Sequence, residues 1–114
     1  MDIEYVDINE DFRRINLSGR LDTAGSEAIA TRFAVLAASA KRRVLVDLTE
    51  VNFLSSMGIR SLIANAKAQQ GRGGRMVLFV GGNAAVAKTL EATGIDVLIP
   101  MFADAAEAEQ AALA

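Results

Sequence analysis

The chain contains no histidine and no cysteine, so the residue types left for chemistry are carboxylates, Lys, Ser, Thr and one Tyr. That removes disulfides, thiol nucleophiles, Ser-His catalytic groups and zinc sites built from sulfur and imidazole. Asp22, Asp47 and Glu50 are the carboxylates that could suggest metal or acid–base work. Asp22 reads equally well as a helix cap, and Asp47 as a residue that closes a buried strand and bonds nearby loop amides. Their spacing carries no independent sign of convergence, so structural roles are expected. Two glycine clusters invite a phosphate-loop reading. Gly71-x-Gly73-Gly74 follows a helix and precedes a strand, the reverse of the order that aims free N–H groups at an anion. Gly81-Gly82-Asn83 has the right order but lacks the Lys-Ser/Thr pair. No catalytic centre, metal or cofactor is expected.

The informative stretch runs from Val46 to Arg60. A buried strand leads through a loop to Ser55 and Ser56 at the mouth of a helix. Either serine can cap that helix, a contribution of ~1 kcal/mol. Phe53, Leu54, Met57 and Ile59 crowd the same short segment and cannot all face inward. Some are expected to stand exposed around the helix start, as in a protein-docking surface.

The elements that must position this segment follow from patterning. Residues 3–8 and 12–17 read as a hairpin around Asn9-Glu10-Asp11, whose side chains can bond their own backbone. Ile15 and Leu17 alternate with polar neighbours, which predicts one wet face. Ser18-Gly19 is expected to end the second strand. Asp22 or Thr23 can cap a helix running to about Ser39, with Ile29, Phe33 and Leu36 on one face. Lys41-Arg42-Arg43 reads as a solvated turn near the helix end, where cations are favoured, rather than as a phosphate patch. Val44-Leu45-Val46 has the continuous apolar character of a strand covered on both faces, as has 75–80. Between them lies a helix with Ile59, Leu62, Ile63 and Ala66 on one face. A helix carrying Val86, Ala87 and Leu90 stops at Gly94. Val97-Leu98-Ile99 reads as the last strand, closed by Pro100. Asp104 with Glu107 caps the alanine-rich final helix.

The result is one α/β domain over 1–114, with the order β-β-α-β-α-β-α-β-α and a mixed, mostly parallel sheet covered by helices. Its 114 residues are enough for a single core without disulfides. The charged fraction is 23% and nearly balanced, with 12 basic and 14 acidic residues. A nucleic-acid footprint is therefore absent. No apolar run approaches the ~20 residues of a membrane helix. The acidic, alternating start does not resemble a secretory signal, so a cytoplasmic location without membrane insertion is expected.

Three landmarks now fall into order: Ser18-Gly19-Arg20-Leu21-Asp22, then Val46-Asp47-Leu48-Thr49, then Phe53-Leu54-Ser55-Ser56-Met57-Gly58-Ile59. With Leu90-x-x-x-Gly94-Ile95 near the end, they resemble the STAS family, and within it the bacterial anti-sigma factor antagonists. The resemblance covers nearly the whole chain. It implies a regulator of transcription that works by partner switching. The unmodified antagonist binds an anti-sigma factor that is also a serine kinase, and phosphorylation at the start of the second helix breaks the complex. The family's pattern is similar to Asp-Ser-Ser-Gly, with the acceptor directly before the glycine. Here Met57 occupies that position and Ser55 replaces the acidic residue. Either Ser56 (with Ser55 second) is the acceptor, or this is an unphosphorylated member that binds constitutively or acts as a scaffold. The interface implied is Arg20, Asp22, Thr23, Phe53, Leu54, Ser55, Ser56, Met57, Gly58 and Arg60. Alternatives are a subunit of a signalling scaffold or a transporter-associated assembly, and a small-ligand or nucleotide-binding domain, which would need a concave apolar pocket with converging polar groups. Self-association as a homodimer stays open.

Overall fold

The structure, a computed structural model, describes residues 1–38 and 42–114. The hairpin forms as the pattern predicts, from β1 (Asp2–Asp7) and β2 (Phe12–Leu21). The Asn9 side chain accepts from the Asp11 amide at 2.8 Å, and the Ile8 amide donates to the Phe12 carbonyl. After β2 come α1 (Thr23–Ala38), β3 (Arg43–Leu54) and α2 (Ser56–Gly71). They are followed by β4 (Arg75–Phe79), α3 (Ala84–Thr93), α4 (Ile95–Leu98), β5 (Met101–Phe102) and α5 (Ala105–Leu113). The five strands lie in the order β1-β2-β3-β4-β5. Only the β1–β2 pair is antiparallel. Lys41 and the Ser39 end of the first helix lie outside the described residues. Arg42 is exposed, and Arg43 starts β3, where its guanidinium pairs with Asp11 and donates to the Ala112 carbonyl.

One face of the sheet carries the main core. Ile15, Leu17, Val44, Val46, Leu48 and Leu78 meet Ile29 and Phe33 of α1, Leu62 and Ala66 of α2, and Val86 and Leu90 of α3. The other face holds a smaller cluster in which Ala108 and Ala112 of α5 rest on Phe12, Leu45 and Val77. Val44–Val46 of β3 and Met76–Leu78 of β4 are thus covered on both sides, which is why those runs are apolar throughout. Arg14, Asn16 and Ser18 alternate with Ile15 and Leu17 onto the second face and are only half-buried.

Three expectations about strand ends are corrected. Ser18-Gly19 does not end β2. The strand continues to Leu21 because register shifts between Asn16 and Ser18, and between Gly19 and Arg20, absorb the extra residues of β3. Gly19 sits there with φ +102°, a conformation open to glycine. Residues 48–54 are likewise not a loop but the continuation of β3. Finally, Val97-Leu98-Ile99 is not a strand. Gly94, left-handed with φ +74°, ends α3 and leads into the single turn α4. Ile95 and Ile99 then reach the core at helical spacing, while Val97 is 85% exposed. The last strand is Met101–Phe102, beyond Pro100, whose carbonyl accepts from the Leu78 amide at 2.8 Å.

Candidate functional site

The long β2 and β3 carry the chain to the end of the sheet where α1 and α2 begin. Arg20 arrives on β2 with Asp22 directly after that strand, and Phe53 arrives on β3 with Ser55 directly after it. Ser55 is the N-cap of α2, in extended conformation at φ −92°, ψ 172°. Its hydroxyl accepts from the Gly58 amide at 3.2 Å and donates to the Leu21 carbonyl at 2.9 Å. Its own amide bonds the same carbonyl at 3.0 Å. Ser55 therefore fastens the helix start to the end of β2. Ser56 and Met57 open the first turn on the outside and are both exposed.

Gly58 is buried against Leu21, where an added Cβ would stand 2.6 Å from the carbonyl oxygen and 2.7 Å from Cγ. It is a contact that lets α2 approach the sheet and offers no surface to a partner. Leu54 is also a core residue, 8% exposed, and drops out of the expected interface for the same reason. The crowded apolar set thus divides. Leu54 and Ile59 turn inward, while Phe53 and Met57 remain 41% and 39% exposed.

Beside Phe53 the Arg20 guanidinium lies 4.3 Å from the ring centroid, a cation–π contact. Arg20 Nε also reaches Asp22 at 3.4 Å. Asp22 caps α1, its carboxylate accepting from the Gly25 amide at 2.7 Å. The Gly25 amide holds the Asp22 carboxyl below the usual carboxylate range, and Arg20 reinforces it. Thr23, in the first turn of α1, and Arg60, one turn into α2, are exposed. The result is an apolar pair, Phe53 and Met57, framed by a stacked arginine and a helix-capping carboxylate. Such a surface can bury apolar side chains of a protein and satisfy polar groups at its rim.

Asp47 and Glu50 do not join Asp22 here. The Asp47 carboxylate pairs with Arg14 and accepts from the Thr49 hydroxyl and amide. Burial pushes its carboxyl up, but the Thr49 and Arg14 bonds outweigh that and hold it below the usual range. Among the described residues no group of three or more carboxylates converges as a metal would require. Asn83 has a part that sequence reasoning missed. It caps α3, and its Nδ2 donates to the carbonyls of Leu48 at 2.9 Å and Val51 at 2.7 Å, pinning the irregular stretch of β3. The only sequence hint was an asparagine directly after two glycines.

Comparison with known proteins identifies the family and the fold. A family model described as "Mlab, STAS domain" matches residues 5–100. A search of curated proteins returns no match. Among solved structures, an anti-sigma-factor antagonist (STAS) domain protein from Planctomyces limnophilus is 27% identical with a TM-score of 0.78, covering 96% of this chain and 95% of that one. An anti-sigma factor antagonist from Mycobacterium paratuberculosis is 21% identical with a TM-score of 0.84, covering 99% and 96%. The Bacillus cell fate determinant SpoIIAA in its phosphorylated form is 16% identical with a TM-score of 0.69, covering 96% and 97%. With the sheet order, the capped second helix and the family match in agreement, the chain belongs to the STAS domain family.

Proposed function

We propose that this protein is an anti-sigma factor antagonist that acts in the cytoplasm by binding a protein and catalyses nothing itself. The observation that carries the reading is the exposed pair Phe53 and Met57 at the start of α2, with Arg20 stacked on Phe53. The likeness of this fold to those of anti-sigma factor antagonists from Mycobacterium paratuberculosis and Planctomyces limnophilus supports it. So does the composition, which lacks the commonest neutral-pH acid–base and nucleophilic groups. No helix among the described residues is long and apolar enough to cross a membrane. The partner is an anti-sigma factor of the serine-kinase type.

If that kinase modifies the antagonist, Ser56 is the acceptor. It is exposed, whereas the Ser55 hydroxyl is committed to Leu21 and Gly58. A phosphate on Ser56 would sit at the positive end of α2 and leave the helix intact. It would set nearly two negative charges beside Met57, where desolvation and repulsion oppose apolar contact.

The test is calorimetric affinity for the cognate anti-sigma factor. Met57→Asp should keep the fold by circular dichroism, because an acid is favoured in the first helical turn. It should weaken binding about tenfold or more. Met57→Ser should lose less when no kinase is active. A folded Met57→Asp variant that binds as tightly as the parent would remove the interface from this surface. With ATP present, mass spectrometry should find phosphate on Ser56. An unmodified protein that stays bound would mark a constitutive antagonist.

A further inference from the structure

α5 covers only part of the sheet's second face, packing on β3, β4 and β5. Over β1 and the part of β2 beyond Phe12 that face is open. It forms a groove of about 640 Å³ between the hairpin and the irregular part of β3. Its apolar side is Val6 and Ile8, about half exposed at 52% and 50%. Its floor holds Arg14, whose Nε donates to Asn16 and whose Nη2 donates to Asp47, leaving Nη1 with no partner among the described residues. Phe79 lies under that guanidinium, 5.5 Å from centroid to Cζ, and holds it in place.

The charge of the groove is one-sided. Asp47 neutralises Arg14. Asp2, Glu4 and Glu50 are exposed at the rim and make no ion pair among the described residues. A free anion would meet three unpaired carboxylates, so the surface selects against one. A cationic side chain would be drawn to them, an apolar one would cover Val6 and Ile8, and a backbone carbonyl would accept from Arg14 Nη1. From this combination we infer that the uncovered half of the second face is a docking groove for a basic, apolar-bearing segment of a partner protein, separate from the surface at α2.

The test is a titration of the isotope-labelled full chain with a short peptide of alternating lysine and leucine, followed by amide chemical shifts. Its acidic counterpart, alternating glutamate and leucine, serves as the control. The basic peptide should shift Val6, Arg14, Asn16 and Thr49, and the acidic one should leave them in place. Raising the salt should weaken the binding, because the attracting carboxylates are exposed. The double variant Glu4→Lys, Glu50→Lys should lose about tenfold in affinity with an unchanged circular dichroism spectrum. Should that variant not fold, the shift map of the parent decides alone. Equal binding of both peptides would overturn the inference, as would shifts centred on Phe53 and Met57. A dimer of the free chain that the double variant dissolves would also overturn it, because the groove would then belong to a second copy.

Discussion

Gly58 is the residue at which local preference and packing disagree most sharply. Alanine is favoured over glycine inside a helix by about 1 kcal/mol. A Cβ here, however, would meet the Leu21 backbone oxygen at 2.6 Å, and a carbonyl in a strand cannot swing aside. Overpacking of this kind costs about 1–3 kcal/mol, so it offsets the gain. Gly58→Ala should therefore lower the melting temperature, and should also weaken binding by displacing the Met57 turn. Gly71→Ala, in the last turn of the same helix with nothing within 4 Å of its Cβ, is the matched control and should not destabilise. Thermal melts of the pair decide it.

At the scale of elements, the irregular β3 depends on one amide from another part of the chain. Asn83→Ala would strip partners from the Leu48 and Val51 carbonyls and remove the cap of α3 at once. Leaving buried acceptors unsatisfied costs about 1–3 kcal/mol, and loss of the cap adds to it. Asn83→Asp should keep the cap yet still destabilise, because a carboxylate cannot donate to those carbonyls. Urea midpoints of the two variants should both fall below the parent. This dependence also explains what could be read in advance. The apolar run 44–46 is legible as a buried strand, and Ser55 as a cap, because both are local patterns. The extension of β3 to Leu54 is not, since Thr49, Glu50 and Asn52 look like turn residues until a distant amide holds them. Val97-Leu98-Ile99 misleads for another reason. A run so short fits both the strand and the helix period, and Gly94 tips it to the helix. In the site, the exposure of Phe53 and Met57 is legible from crowding, whereas the burial of Leu54 depends on the bulges that reset its face.

For the molecule as a whole, the Arg14–Asp47 pair predicts how stability responds to acid. The Asp47 carboxyl is held below its ordinary value in the folded chain, while in the unfolded chain it returns to about 3.9. Its stabilisation is therefore complete above that pH and lost as pH falls through the lower, folded value. Denaturant midpoints should decline on acidification below about pH 4. Asp47→Asn should flatten that decline, while being less stable than the parent by about 1–3 kcal/mol at neutral pH. A variant with an unaltered acid limb would show that other carboxylates govern it. The order of the strands bears on biogenesis as well. Each strand pairs with its neighbour in the chain, from β1 to β5. Each closure therefore spans only one connection, with no strand inserted between two already in place. Such topology shortens the loops that must close early and favours rapid folding. A chain emerging from the ribosome can add its strands in the order of synthesis, so each newly made edge waits only for the next segment before it is covered.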